Sequence, residues 1–73
     1  MWIQDRKLAK PLYDRLSKML NDVAEFNIST PEALQILDDL EVKSYAVKPR
    51  MKDIDSIMPM LKMIPLLRAI LQS

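Results

Sequence analysis

Leu8, Leu12, Leu16, Met19, Leu20, Val23 and Phe26 recur at intervals of three and four along the first third of the chain. That spacing gathers them on one side of a helix, with Asp14, Arg15, Lys18, Asp22 and Glu25 mostly on the other. Pro11 interrupts the pattern. A proline suits a first helical turn, so the spacing predicts a helix over 11–27 preceded by a separate arm, 1–10. A second helix is predicted over 31–41, carrying Ala33, Leu34, Leu37 and Leu40 inward with Ile36 at the boundary. Ser29-Thr30-Pro31-Glu32 marks its start. Thr30 as N-cap puts Pro31 at the first helical position, where a missing N–H costs nothing, and Glu32 beside the positive helix end. Ser29 and Glu32 also stand at capping-box spacing, which would move Pro31 one position inward.

Val42 to Val47 has strand-like composition, but the chain offers no second strand to pair with it, so a turn or short extended connection is expected. Pro49 pushes Lys48 out of the helical region, and a new helix is predicted to begin at about Pro49. Met51, Ile54, Ile57, Met58, Leu61, Ile64, Leu67, Ile70 and Leu71 renew the three-and-four pattern. Pro59 and Pro65 cut it. An interior proline costs a helix about 3 kcal/mol, so residues 49–72 read as a series of proline-interrupted short helices. The expected architecture is all-α: a compact bundle of four to five short helices without a sheet, forming a single domain or domain fragment over 1–73.

Composition narrows the chemistry. The 73 residues include no His, no Cys and no Gly. There is no imidazole base, no thiolate and no ordinary zinc, haem or iron–sulfur ligation. There is no glycine loop to cradle a phosphate. So short a chain can hardly enclose a catalytic pocket, and a non-enzymatic protein without cofactor or metal is expected. Carboxylates remain at Asp38, Asp39 and Glu41 and at Asp53 and Asp55, but the calcium-loop spacing and its glycine are missing. The most apolar window, Ile57 to Leu71, is shorter than the roughly 20 residues of a membrane span and contains Lys62 and Arg68. Met1 to Lys7 has no apolar run behind its charges, which excludes a signal peptide.

Charge is segregated within a net value of +1. Residues 19–42 carry Asp22, Glu25, Glu32, Asp38, Asp39 and Glu41 and no base; the flanks hold all 11 Lys and Arg. Lys43, Lys48, Arg50 and Lys52 form a basic run near Tyr45, the candidate contact for nucleic acid in an auxiliary, non-specific role. The hydrophobic fraction of 49% is more telling. A domain of this size buries only about 60% of its unfolded surface. Ile57, Met58, Met60, Leu61, Met63, Ile64, Leu66 and Leu67 cannot all point inward from one helical segment. Some should face a protein partner, and methionine suits surfaces that accept varied ligands.

Glu32-Ala33-Leu34-Gln35-Ile36-Leu37-Asp38-Asp39-Leu40-Glu41-Val42, followed by Ile54 and by Leu61-Lys62-Met63-Ile64, resembles a known helical module. It is shared by transcription elongation factor S-II N-terminal domains and the integrase-binding domain of lens epithelium-derived growth factor. The similarity spans residues 12–70 and is strongest over 32–64. It implies a nuclear scaffold that captures short motifs of transcription and chromatin proteins through two interhelical loops. Carried over, those loops are Phe26-Asn27-Ile28 and Pro65-Leu66-Leu67. Asn27 stands where the group uses an acid, and the connection from Val42 to Ile54 is longer here. The layer supplied by the group's last helix would come from a neighbouring molecule or from Met1 to Lys10.

Three roles are therefore expected to compete. The first is a protein-interaction module gripping a motif with an aromatic residue and acids through Phe26, Asn27, Ile28, Met60, Met63, Leu66 and Leu67. The second is a homodimerising scaffold that buries residues 57–71 between chains. The third is the auxiliary nucleic-acid binder.

Overall fold

A computed structural model describes residues 3–73. Met1 and Trp2, the first part of the expected arm, lie outside the described residues. Among the described residues the fold is all-helical, with three α-helices rather than four to five. Helix α1 spans Ile3–Ala24, α2 Thr30–Val47 and α3 Met58–Gln72. Two single turns of 3-10 helix, Lys48–Arg50 and Ile54–Ser56, occupy the connection between α2 and α3.

The prolines account for most of the difference in helix number. Pro11 lies inside α1, so residues 3–10 are the first turns of that helix and not a separate arm or layer. Its ring is on the exposed side, as is Lys7 four residues earlier. The carbonyl that loses its helical donor there can turn to water, which reduces the usual cost. Pro65 sits on the solvent side of α3 in the same way and does not break it. Pro59 occupies the first turn of α3 and opens the helix instead of splitting one.

Helix α2 is capped by Ser29, not Thr30: its Oγ accepts from the Glu32 N–H at 3.3 Å, and Thr30 and Pro31 are the first two helical residues. The helix then continues past residue 41 through the segment expected to be extended. Ser44 and Val47 fall four and seven residues after Leu40, so continuing the helix keeps one side against the core, where Ser44 is fully buried. At Pro49 only the single 3-10 turn Lys48–Arg50 forms, not the start of a longer helix. Met51 is extended and buried, and it anchors the connection to the core.

The core joins Ala9, Leu12, Leu16 and Met19 of α1 to Ala33, Leu37 and Leu40 of α2, with Met51, Ile57, Met60 and Ile64 closing it. Five residues, 25–29, turn the chain between α1 and α2, so these helices run antiparallel. Arg68 reaches Asp38 and Glu41, which places the end of α3 back along α2, antiparallel again. α1 and α3 each pack along α2, yet their backbones scarcely approach one another. The molecule measures 36 × 18 × 14 Å. One end holds the 25–29 turn and the close of α3; the other holds the start of α1 and the 48–57 connection.

Asp5 pins that second end. Its fully buried carboxylate accepts from the backbone N–H groups of Lys52 and Asp53, both at 2.9 Å. Gln4 donates to the Arg50 carbonyl at 3.0 Å beside it. Charge-assisted bonds of this kind are about twice as strong as neutral ones. They tie an irregular ten-residue connection to the first turns of α1.

Candidate functional site: an apolar helix face

Helix α3 is amphipathic in two directions. Met60 and Ile64 point into the core and are wholly buried. Pro59, Met63, Leu66 and Ile70 follow at intervals of four, three and four, which places them together on a different side. Met63 is 38% exposed, Leu66 66% and Ile70 67%. A core-facing helix normally turns such residues inward and shows charge to water. Here the only charged residues of α3 are Lys62 and Arg68. Arg68 is engaged elsewhere, donating to Asp38 at 2.8 Å and Glu41 at 3.2 Å. The bond to Glu41 is the main cause that raises the guanidinium above its ordinary pKa, with Asp38 adding to it against a desolvation penalty. It remains a fixed cation that clasps α3 to α2.

The backbones of α1 and α3 scarcely approach one another, although their side chains share the core. Tyr13 of α1 donates to the Ser56 carbonyl at 3.0 Å, just before α3 begins, and so fixes which side of α1 looks that way. Leu20, two turns further along the same side, is 38% exposed. Leu67 and Leu71 are half-buried against the core.

Phe26 is the second apolar feature. It is 93% exposed and has a φ of 58°. A bulky residue in the left-handed region is strained by about 1 kcal/mol, and a glycine would ordinarily fill such a helix-ending position. The geometry turns the ring out at the tip of the 25–29 turn. Asn27 is exposed, bonding to Glu25, while Ile28 packs partly against the core. The Phe26-Asn27-Ile28 turn precedes α2, whereas Arg68, next to Leu66–Leu67, meets Asp38 and Glu41 two to three turns into α2. Among the described residues no hydrogen bond or ion pair of the fold brings the two segments into one site.

Met60 is corrected from a partner residue to a core residue. Residues 58–60 form the first turn of α3, and that register aims Met60 inward toward α2. Pro65 and Leu66 form no loop either; they are regular helix. Ile70 falls within the stretch 57–71 expected between two chains but not among the expected motif-binding residues, because its three-and-four spacing is equally consistent with burial.

The basic residues divide. Lys43 pairs with Asp39 on its own helix at 2.9 Å. Lys48, Arg50 and Lys52 lie on the connection, with the Lys48 ammonium 6.0 Å from the Tyr45 ring centre. Gln4 and Asp5 bind the connection to the first turns of α1, so Arg6 and Lys7 lie at the same end of the molecule, with Lys7 on the side of α1 away from the connection. Nothing local in the sequence signals that meeting of residues more than 40 positions apart. The carboxylates are also committed: Asp53 caps the turn after it by accepting from the Asp55 N–H at 3.0 Å, and Asp38 and Glu41 hold Arg68. Among the described residues there is no cluster of potential metal ligands, and no helix is long and apolar enough to cross a membrane.

A shallow cleft of about 430 Å³ between α1 and α2 is lined by Arg15, Glu32, Gln35, Ile36 and Asp39. It lacks a nucleophile placed beside a base.

No family model, curated protein or solved structure matches this chain.

Proposed function

We propose that the protein is a non-enzymatic helical interaction module of a transcription or chromatin assembly, acting in the nucleus. Its grip is the outward face of α3, with the exposed Phe26 as a separate apolar anchor. The observation that carries this reading is the run Met63, Leu66 and Ile70, exposed on a helix that already buries another side in the core. Among the described residues no other part of the chain covers Leu66 or Ile70 by more than about a third. Amphipathic helices and short motifs with apolar anchors bind such faces. The assignment to transcription rests on the resemblance of residues 32–64 to the elongation-factor module, and on that alone.

The charge near Phe26 refines the motif. Glu25 and Glu32 flank the turn, Asp22 being paired with Lys18, so the complementary motif carries its aromatic or aliphatic anchor next to bases, not next to acids. The test is fluorescence anisotropy with two labelled peptides that share one phenylalanine anchor and differ in lysine or glutamate flanks. The lysine-flanked peptide should bind saturably, and Leu66→Glu should abolish binding without loss of helicity. Equal binding by the variant would remove the site. Leu66 is preferable to Leu67 for this purpose, since Leu67 also packs against the core.

A second reading has one observation in its favour. Arg6 and Lys7 add to Lys48, Arg50 and Lys52 at the opposite end, with Tyr45 57% exposed nearby. Auxiliary binding of single-stranded nucleic acid there would weaken steeply as salt rises.

A further inference from the structure

We infer that the occupant of the α3 face is a second copy of this chain, laid antiparallel so that α3 packs against α3. The inference rests on reading that face as a protein-docking surface and names the partner.

Two independent features converge on it. The first is spacing. Pro59, Met63, Leu66 and Ile70 are separated by four, three and four residues. That order is the same read in either direction. A second α3 running the opposite way therefore meets the first in register, Pro59 of one copy against Ile70 of the other and Met63 against Leu66. The contact is two-fold symmetric and closes on itself, leaving no unpaired apolar face to propagate.

The second feature is the distribution of charge along the 36 Å axis. The end formed by residues 3–8 and 47–57 carries five bases, Arg6, Lys7, Lys48, Arg50 and Lys52, against three acids. The other end, residues 18–34, carries Asp22, Glu25 and Glu32 against one base, Lys18, which pairs with Asp22 at 3.0 Å. Helix α3 runs from the first end to the second. An antiparallel pair sets each basic end beside an acidic one; a parallel pair sets like beside like. Charge complementarity chooses orientation more than it adds affinity, and it acts over a range of about 8 Å in physiological salt.

Area sets the strength. At 1.5 Å per residue, α3 is about 22 Å long, and one helix face covers less than the roughly 800 Å² per partner of a stable complex. The dimer accordingly dissociates on dilution.

The chain has no Cys, so introduced thiols are unique. Sedimentation equilibrium of the full chain over a dilution series, at low and high salt, should give a monomer–dimer equilibrium weakened by salt. Leu66→Glu, at the centre of the contact, should raise the dissociation constant at least about tenfold. Mixing Pro59→Cys with Ile70→Cys should give faster disulfide cross-linking than either variant alone. A monomer at every concentration, a dimer indifferent to Leu66→Glu, or cysteine variants that cross-link best with themselves would each overturn the proposal. Anilinonaphthalene sulfonate fluorescence separates the two levels of failure. A monomer that binds the dye, and loses it with Leu66→Glu, keeps the docking face and discards the second copy. A monomer that binds no dye there discards both.

Discussion

The Tyr13 hydroxyl donates to the Ser56 carbonyl at 3.0 Å, across 43 residues of chain. It joins the middle of α1 to the last turn before α3, where the two helices otherwise hardly meet. Burial pushes the phenol above its ordinary value of 10.0, and backbone hydrogen bonding at Met60 offsets part of that rise. The folded state therefore favours the neutral phenol. Its contribution to stability is complete below pH 10.0 and is lost as pH climbs through the raised value. Tyr13→Phe should lower stability at neutral pH by about 1 kcal/mol and flatten the alkaline decline. Urea unfolding of both proteins between neutral and strongly alkaline pH checks this; parallel pH curves would contradict it.

Asp5 makes a sharper prediction. Asp5→Ala leaves two backbone donors, on Lys52 and Asp53, without their acceptor at the edge of the core. A loss of about 3 kcal/mol is expected from two charge-assisted bonds. Amide exchange should accelerate first over residues 51–57. Asp5→Asn can satisfy one donor through its single carbonyl and should lie between the variant and the parent in urea midpoint.

Met60 and Leu66 should respond in opposite ways although both belong to α3. Met60→Ala opens a cavity and should cost about 2–5 kcal/mol. Leu66→Glu stays within about 0.5 kcal/mol, since it changes only an exposed side chain. Thermal unfolding followed by circular dichroism separates the two. A large loss for Leu66→Glu at concentrations where the chain is monomeric would mean that Leu66 supports the fold.

Pro65→Ala should stabilise the protein by about 1–2 kcal/mol, because it restores a helical donor toward Leu61 and removes a ring from mid-helix. Unchanged or lower stability would show that the ring itself packs usefully.

Much of the fold was legible in local patterns. The Ser29-to-Glu32 start and the Ala33, Leu37 and Leu40 stripe identified α2, and Leu12, Leu16 and Met19 identified the buried side of α1. The stretch from Val42 to Val47 misled because its β-branched composition competes with helix only when packing is ignored; continuing the helix brings Val47 round to the Leu40 side, against the core. The prolines misled because their cost depends on which side of a helix they occupy, and Pro11 and Pro65 both face water. Asp5 reads as one more solvated charge until residues 47 and 48 positions away arrive above it. The apolar excess after Ile57 was legible as an excess. Which residues formed it was not, because the register of α3 depends on where Pro59 starts the helix.

The sparse backbone approach of α1 to α3 has a kinetic corollary. Helix α2 packs along both other helices while the backbones of α1 and α3 scarcely approach one another, so α1 and α3 are not obliged to detach together. Deuterium labelling under native conditions should find α2 the slowest to exchange, with the outer two helices released in separate steps. The chain would then behave less as one cooperative block than as a central rod with two hinged shutters, joined at one edge by Tyr13.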